Sequence, residues 1–137
     1  MYLSLSNITK IDKWDKSKII LDPRNLSIDW CKSELSPCSI IYGNNSFSST
    51  HYLIILNGRS LSCGDSYGKY SVGLGLFDFK SKRIKIYPEP LIKENHEIIF
   101  ASDFLKIDDN YGLLYCHIND SFVKTYKLNL KELLKLL

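Results

Sequence analysis

The chain has 137 residues, a formal net charge of +3, 45% apolar residues and 24% charged residues. That composition is one globular domain's worth of sequence and excludes an intrinsically disordered segment. Its lysines alternate with apolar residues instead of forming a stripe (Lys80, Lys82, Lys85; Lys124, Lys127, Lys131, Lys135), so the charge gives no support for a nucleic-acid interface, and no apolar run approaches the ~20 residues of a membrane span. Nine tyrosines and six phenylalanines against a single alanine, Ala101, favour strand over helix before any pattern is read.

In chain order, short apolar runs alternate with turn residues. Lys18 to Leu21 stops at Asp22-Pro23, where proline removes a ladder donor and bars the preceding residue from helical geometry. Cys38 to Tyr42 stops at Gly43-Asn44-Asn45, and His51 to Leu56 at Asn57-Gly58. Tyr70 to Phe79 runs into Lys80-Ser81-Lys82, and Arg83 to Tyr87 into Pro88-Glu89-Pro90. Glu97 to Ile107, Tyr111 to His117 and Ser121 to Leu128 complete the set. Evenly spaced short strands of this kind predict an antiparallel all-β architecture. Gly73 and Gly75 fall inside a strand pattern, which predicts a bulge or the close approach of another backbone. Leu130, Leu133, Leu134 and Leu137 share one helical stripe, so the C-terminal segment reads as a short helix packed on the sheets.

A weak internal repeat relates 51–58 and the strand that follows to 111–120 and its following strand. Its period suits a four-stranded propeller blade. The expected fold is therefore an all-β, partial β-propeller of two to two and a half four-stranded antiparallel blades with a short C-terminal helix. On this reading residues 1–22 end one blade, 36–90 make one full blade, and 95–137 make an incomplete last blade and the helix.

The four cysteines (Cys31, Cys38, Cys63, Cys116) show no C-x-x-C spacing, and His51, His96 and His117 have no partner at a ligand spacing, so neither a metal nor a cofactor is expected. Met1-Tyr2-Leu3-Ser4-Leu5 lacks the basic start and long apolar run of a secretory signal. Free thiols and a cytoplasmic location follow as expectations.

Several residues then suggest a family. A tryptophan at Trp30 is followed by the strand 51–57, by Y-S-V-G-L-G-L-F-D-F at 70–79 and by P-E-P-L-I at 88–92. E-I-I-F-A-S at 97–102, Y-G-L-L-Y-C-H-I-N-D-S at 111–121 and K-L-N-L-K-E-L-L at 127–134 close the series. This order resembles the C-terminal half of glycoside hydrolase family 130, the β-mannoside phosphorylases and hydrolases built as five-bladed propellers. The resemblance spans residues 14–137, about half of a family member.

It implies that Phe100 borders a sugar pocket and that Asp120, in the Asn119-Asp120-Ser121 turn, hydrogen-bonds the sugar. Asn57 stands where family phosphorylases hold phosphate with a histidine, and Glu34 stands near their phosphate-binding lysine, so phosphorolysis is not expected. Some family hydrolases place glutamate there, which makes Glu34 a candidate general base. The family's catalytic aspartate lies in the half that this chain does not match, and glycoside cleavage needs a proton donor and an activated nucleophile at a fixed separation. Asn57, Asn119 beside Asp120, Asp65 in the Asp65-Ser66-Tyr67-Gly68 loop, and Tyr115, an aromatic platform for a pyranose face, complete the ligand-binding expectation.

Three readings stand side by side: a carbohydrate-binding or degenerate glycosidase-like protein; a mannoside hydrolase using Glu34 and Asp120, with its site completed by oligomerisation; and an interaction scaffold without sugar binding. The expected partners are a sugar or glycoside, and a second copy or another subunit that completes the ring, with no nucleic acid and no membrane.

Overall fold

A computed structural model describes residues 2–3, 18–41, 51–61, 68–96 and 98–136. Tyr2–Leu3 (β1) pairs with Lys18–Ile19 (β2), and two 3₁₀ turns follow at Pro23–Asn25 and Asp29–Cys31. Four strands, Glu34–Ile41 (β3), His51–Arg59 (β4), Tyr70–Asp78 (β5) and Arg83–Ile86 (β6), form one antiparallel sheet in chain order. Ile99–Lys106 (β7), Tyr111–Ile118 (β8) and Phe122–Asn129 (β9) form a second antiparallel sheet, again in chain order. Leu130–Lys135 (α1) closes the described chain.

Strand alternation decides what lies between the sheets. Leu53, Ile55, Val72 and Leu74 of the first sheet pack with Ile99, Ala101, Leu114, Cys116 and Ile118 of the second in one buried core. Leu130 and Leu133 of α1 seal one side of it. The helix starts because the Asn129 side chain accepts from the Lys131 and Glu132 amides, capping donors that the first turn leaves without partners.

The far face of the first sheet carries a second cluster. Trp30, Cys31 and Leu35 bury Ile54, Leu56 and Ile86 there, with Leu21, Leu26 and Ile28 packed around them. The glycines explain how an indole fits. A Cβ on Gly73 would stand 2.2 Å from the Trp30 ring, and one on Gly58 would stand 2.4 Å from it. The β4–β5 ladder runs through Gly73 without a register shift, so the expected bulge or backbone approach is replaced by a side chain seated on bare backbone. Trp30 Nε1 donates to the Tyr87 carbonyl at 3.2 Å and fixes the ring in that seat.

β3 starts four positions before the sequence places it, because Pro37 sits on an edge strand. An edge proline loses no ladder bond, and the register shifts between Pro37 and Ile40. No helix among the described residues is long and apolar enough to cross a membrane.

Candidate functional site

The register brings Glu34, Arg59 and Tyr70 into one row across β3, β4 and β5. Arg59 Nε donates to Glu34 Oε2 at 3.2 Å and the Tyr70 hydroxyl donates to the same oxygen at 3.5 Å. The Arg59 guanidinium lies 5.8 Å from the Tyr70 ring centre, within cation–π range. Tyr70 also forms a parallel bridge with Ile98, just before β7. That bridge brings Phe100 to the row: the Tyr70 and Phe100 rings meet edge to face at 6.3 Å. Phe100 is 37% exposed and Glu34 is exposed, whereas Arg59 and Tyr70 are half-buried. The outcome is an aromatic pair that opens to solvent on its Phe100 side, flanked by a carboxylate and a guanidinium.

Behind the row, the backbone of Ser60 donates to the Lys69 carbonyl and the Ser60 hydroxyl accepts from the Lys69 amide, which closes the base of the β4–β5 connection. Asp65 belongs to that connection and lies outside the described residues.

The remaining sequence candidates divide. Asn119 backs onto the strand that carries Phe100: its side-chain oxygen accepts from the Ile98 amide at 3.0 Å, and its own amide donates to the Ile98 carbonyl at 2.9 Å. Asp120 is exposed at the tip of the β8–β9 turn, where both Asn119 and Asp120 have positive φ. Asn and Asp favour such turns for their tolerance of left-handed backbone. Tyr115 is half-buried on the strand face that alternates with buried Leu114 and Cys116, two paired rows from His117 and Phe100. His117 is exposed while Cys116 beside it is buried, as adjacent strand residues must be.

Asn57 is placed differently. It is 3% exposed, and its amide is used between the sheets: Nδ2 donates to the Ala101 carbonyl at 2.9 Å, and Oδ1 accepts from the Ala101 amide at 2.7 Å. Its polar atoms face a strand instead of solvent.

Glu34 thus meets Phe100 through Tyr70, and Asn119 supports that assembly from behind. Among the described residues no hydrogen bond or ion pair joins Asp120 to Glu34. The Glu34 carboxylate accepts from a guanidinium and a phenol. Both partners engage the same oxygen, Oε2, which leaves Oε1 to accept from a ligand hydroxyl.

Arg59 was not singled out from sequence. The signal was available in principle: Arg59 and Tyr70 flank one connection and pair across it, but the register becomes visible only once the length of β4 is known. A separate cleft of about 410 Å³ opens elsewhere, lined by Ser39, Ile40, Ile41, Phe104 and Lys106; none of the sequence candidates lines it. Among the described residues, no three His, Cys, Asp or Glu side chains gather in a way that would hold a metal ion.

No protein-family model matches the chain, and the comparisons with curated proteins and with solved structures found no match.

Proposed function

We propose that this protein binds a carbohydrate without cleaving it, at the end of the two sheets where Glu34, Arg59, Tyr70 and Phe100 meet. The observation that carries this reading is the pairing of exposed Phe100 with half-buried Tyr70, with an ion pair at the rim. A pyranose has an apolar face and a rim of hydroxyls. Aromatic edges and faces take the first, and a carboxylate beside a guanidinium takes two adjacent hydroxyls of the second. The family-130 resemblance supports the same ligand class through Phe100 and Glu34, and it supports a propeller-type arrangement in which each meander sheet is one blade. Hydrolysis is the weaker reading, because Glu34 is committed to Arg59 and Tyr70 and Asp120 sits apart at a turn tip.

The test is titration of the protein with manno-oligosaccharides, followed by calorimetry and by amide shifts in NMR. Binding is expected in the micromolar to millimolar range, on the order of 4–8 kcal/mol. Phe100→Ala and Arg59→Met should each weaken it at least tenfold, with no sugar turnover in any sample. Saturable binding that ignores both substitutions would end this assignment of the site.

The exposed apolar side chains Phe100, Leu105 and Val123 on the second sheet favour a second reading, a protein-interaction surface without a sugar. Absence of any saccharide response, together with a protein partner whose binding is lost on Phe100→Ala, would select it.

A further inference from the structure

Each of the two larger sheets has two edge strands, and an edge presents unpaired amides and carbonyls to any extended chain. Three of these four edges are blunted by recognisable devices. β3 carries Pro37 and a register shift between Pro37 and Ile40. β6 is four residues long, exposes Arg83 and Lys85, and is followed by Pro88 and Pro90. β7 shifts register between Ala101 and Asp103, and its Ala101 amide and carbonyl are taken by Asn57.

β9 exposes Lys124 and Lys127, as β6 exposes its basic residues, but it has none of the other devices. It has eight residues and no proline, and it pairs with β8 without a register shift from Phe122 to Asn129. Its other side pairs with no described strand. Phe122 and Val123 are 53% and 57% exposed.

We infer that β9 pairs antiparallel with β9 of a second copy of this chain, on a two-fold axis through Thr125, to give one continuous six-stranded sheet. The register follows from two constraints. The first is hydrogen-bond phase. The Leu130 amide donates to the Asn110 carbonyl next to the Tyr111–Asn129 pair. In an antiparallel ladder that bond marks Tyr111–Asn129 as a non-hydrogen-bonded pair, so the amides and carbonyls of Val123, Thr125, Lys127 and Asn129 point away from β8. Only these residues can bond a partner strand, and a two-fold axis that pairs them with one another must pass through a residue.

The second constraint is charge. An axis through Lys124 or Lys127 sets each lysine against its own copy, and like charges directly opposite one another destabilise a pair. An axis through Tyr126 leaves Phe122 beyond the end of the partner strand. An axis through Thr125 uses all of 122–128: Phe122 faces Leu128, Val123 lies along the Lys127 stem, and Lys124 faces Tyr126, each across the axis. A second copy is the occupant this edge suits because its own sequence, read backwards, satisfies both constraints.

Sedimentation equilibrium on the whole chain should give twice the chain mass at high protein concentration, dissociating on dilution. Thr125→Lys puts two ammonium groups on the axis and should return the monomer with an unchanged far-ultraviolet spectrum. Val123→Glu places a carboxylate beside the partner's Lys127 at two symmetric positions and should tighten the dimer several-fold, an outcome that a folding defect cannot imitate. A nitroxide on Thr125→Cys should report a neighbouring label one strand away, roughly 5.5 Å between backbones. A monomer at every concentration, a dimer indifferent to Thr125→Lys, or labels far apart would each overturn the proposal. These readouts are independent of whether the protein binds sugar.

Discussion

The side-chain amide of Asn57 makes to Ala101 the same two hydrogen bonds that a neighbouring strand would make, one donated and one accepted. It does so inside the core, where a bare amide is costly. Asn57→Ala removes both bonds and leaves the Ala101 amide and carbonyl buried beside the register shift. A loss of about 2–4 kcal/mol is expected, measured as a fall in the urea midpoint without a change in slope. A variant within 0.5 kcal/mol of the wild type, by the usual scale for neutral surface changes, would mean that water replaces the amide.

Trp30 and Gly73 are a matched pair. Gly73→Ala drives a methyl group into the indole and should cost about 1–3 kcal/mol. Trp30→Leu should cost a comparable amount through the space it opens, by the rule for large-to-small changes. The two penalties are not additive: in Trp30→Leu the alanine at 73 finds room, so the double variant should be more stable than the sum of the two losses. Strict additivity in a double-mutant cycle would contradict the contact.

Glu94 sets an acid limb for stability. Lys124 donates to both its oxygens, at 2.6 and 2.8 Å, and His96 Nε2 lies 3.1 Å away. The Lys124 hydrogen bond, chiefly, holds the carboxyl below its ordinary range against the opposing effect of burial. A carboxyl depressed on folding stabilises the folded state above its unfolded value, and that contribution is lost as pH falls through the folded value. Chemical denaturation should therefore show a declining midpoint on the acid side, and Glu94→Gln should flatten this decline while lowering the neutral-pH plateau.

Two thiols should be silent. Burial pushes Cys31 up to about 11 and Cys116 up to about 12, and it raises Cys38 as well. At pH 8 the first of these is thiolate in about one molecule per thousand, and the thiolate is the reactive form. In a Cys63→Ser background, a disulfide reagent should label Cys31 and Cys116 only at the rate of unfolding, and all three remaining thiols at once in denaturant. Rapid native labelling of Cys116 would show that the core between the sheets opens.

Asp120 has a φ of 53°, a geometry that costs an L-residue roughly 1 kcal/mol and glycine almost nothing. Asp120→Gly should therefore leave stability unchanged or raise it by up to about 1 kcal/mol. Manno-oligosaccharide titration of the same variant then asks whether the carboxylate has a ligand role. Unaltered binding would place the recognition work on Glu34, Arg59, Tyr70 and Phe100.

Strand identity was legible because alternation is local. The runs at 51–56, 70–79 and 111–117 declare themselves through β-branched and aromatic residues between turns, and the leucine spacing of 130–134 declares a helix. What was not legible depends on contacts distant in sequence. Asn57 looks like a turn residue after an apolar run; its burial follows from Ala101, 44 positions on. Gly73 announces that something comes close, but only the folded chain reveals that Trp30 does. Glu34 and Phe100 were singled out separately, and Tyr70 joins them through a register that depends on where β4 ends.

The Trp30–Tyr87 bond has a mechanical consequence. Trp30 precedes the first strand of its sheet and Tyr87 follows the last, so the indole works as a clasp joining the two outer margins of the four-stranded layer. The Glu34 end of β3 and the Ile86 end of β6 both lie beside the indole and its glycine seat, so fraying at those two ends is coupled through the ring. Pulling on the chain at residues 30 and 87 should thus meet a single abrupt rupture, with the strands between them released together and not one at a time.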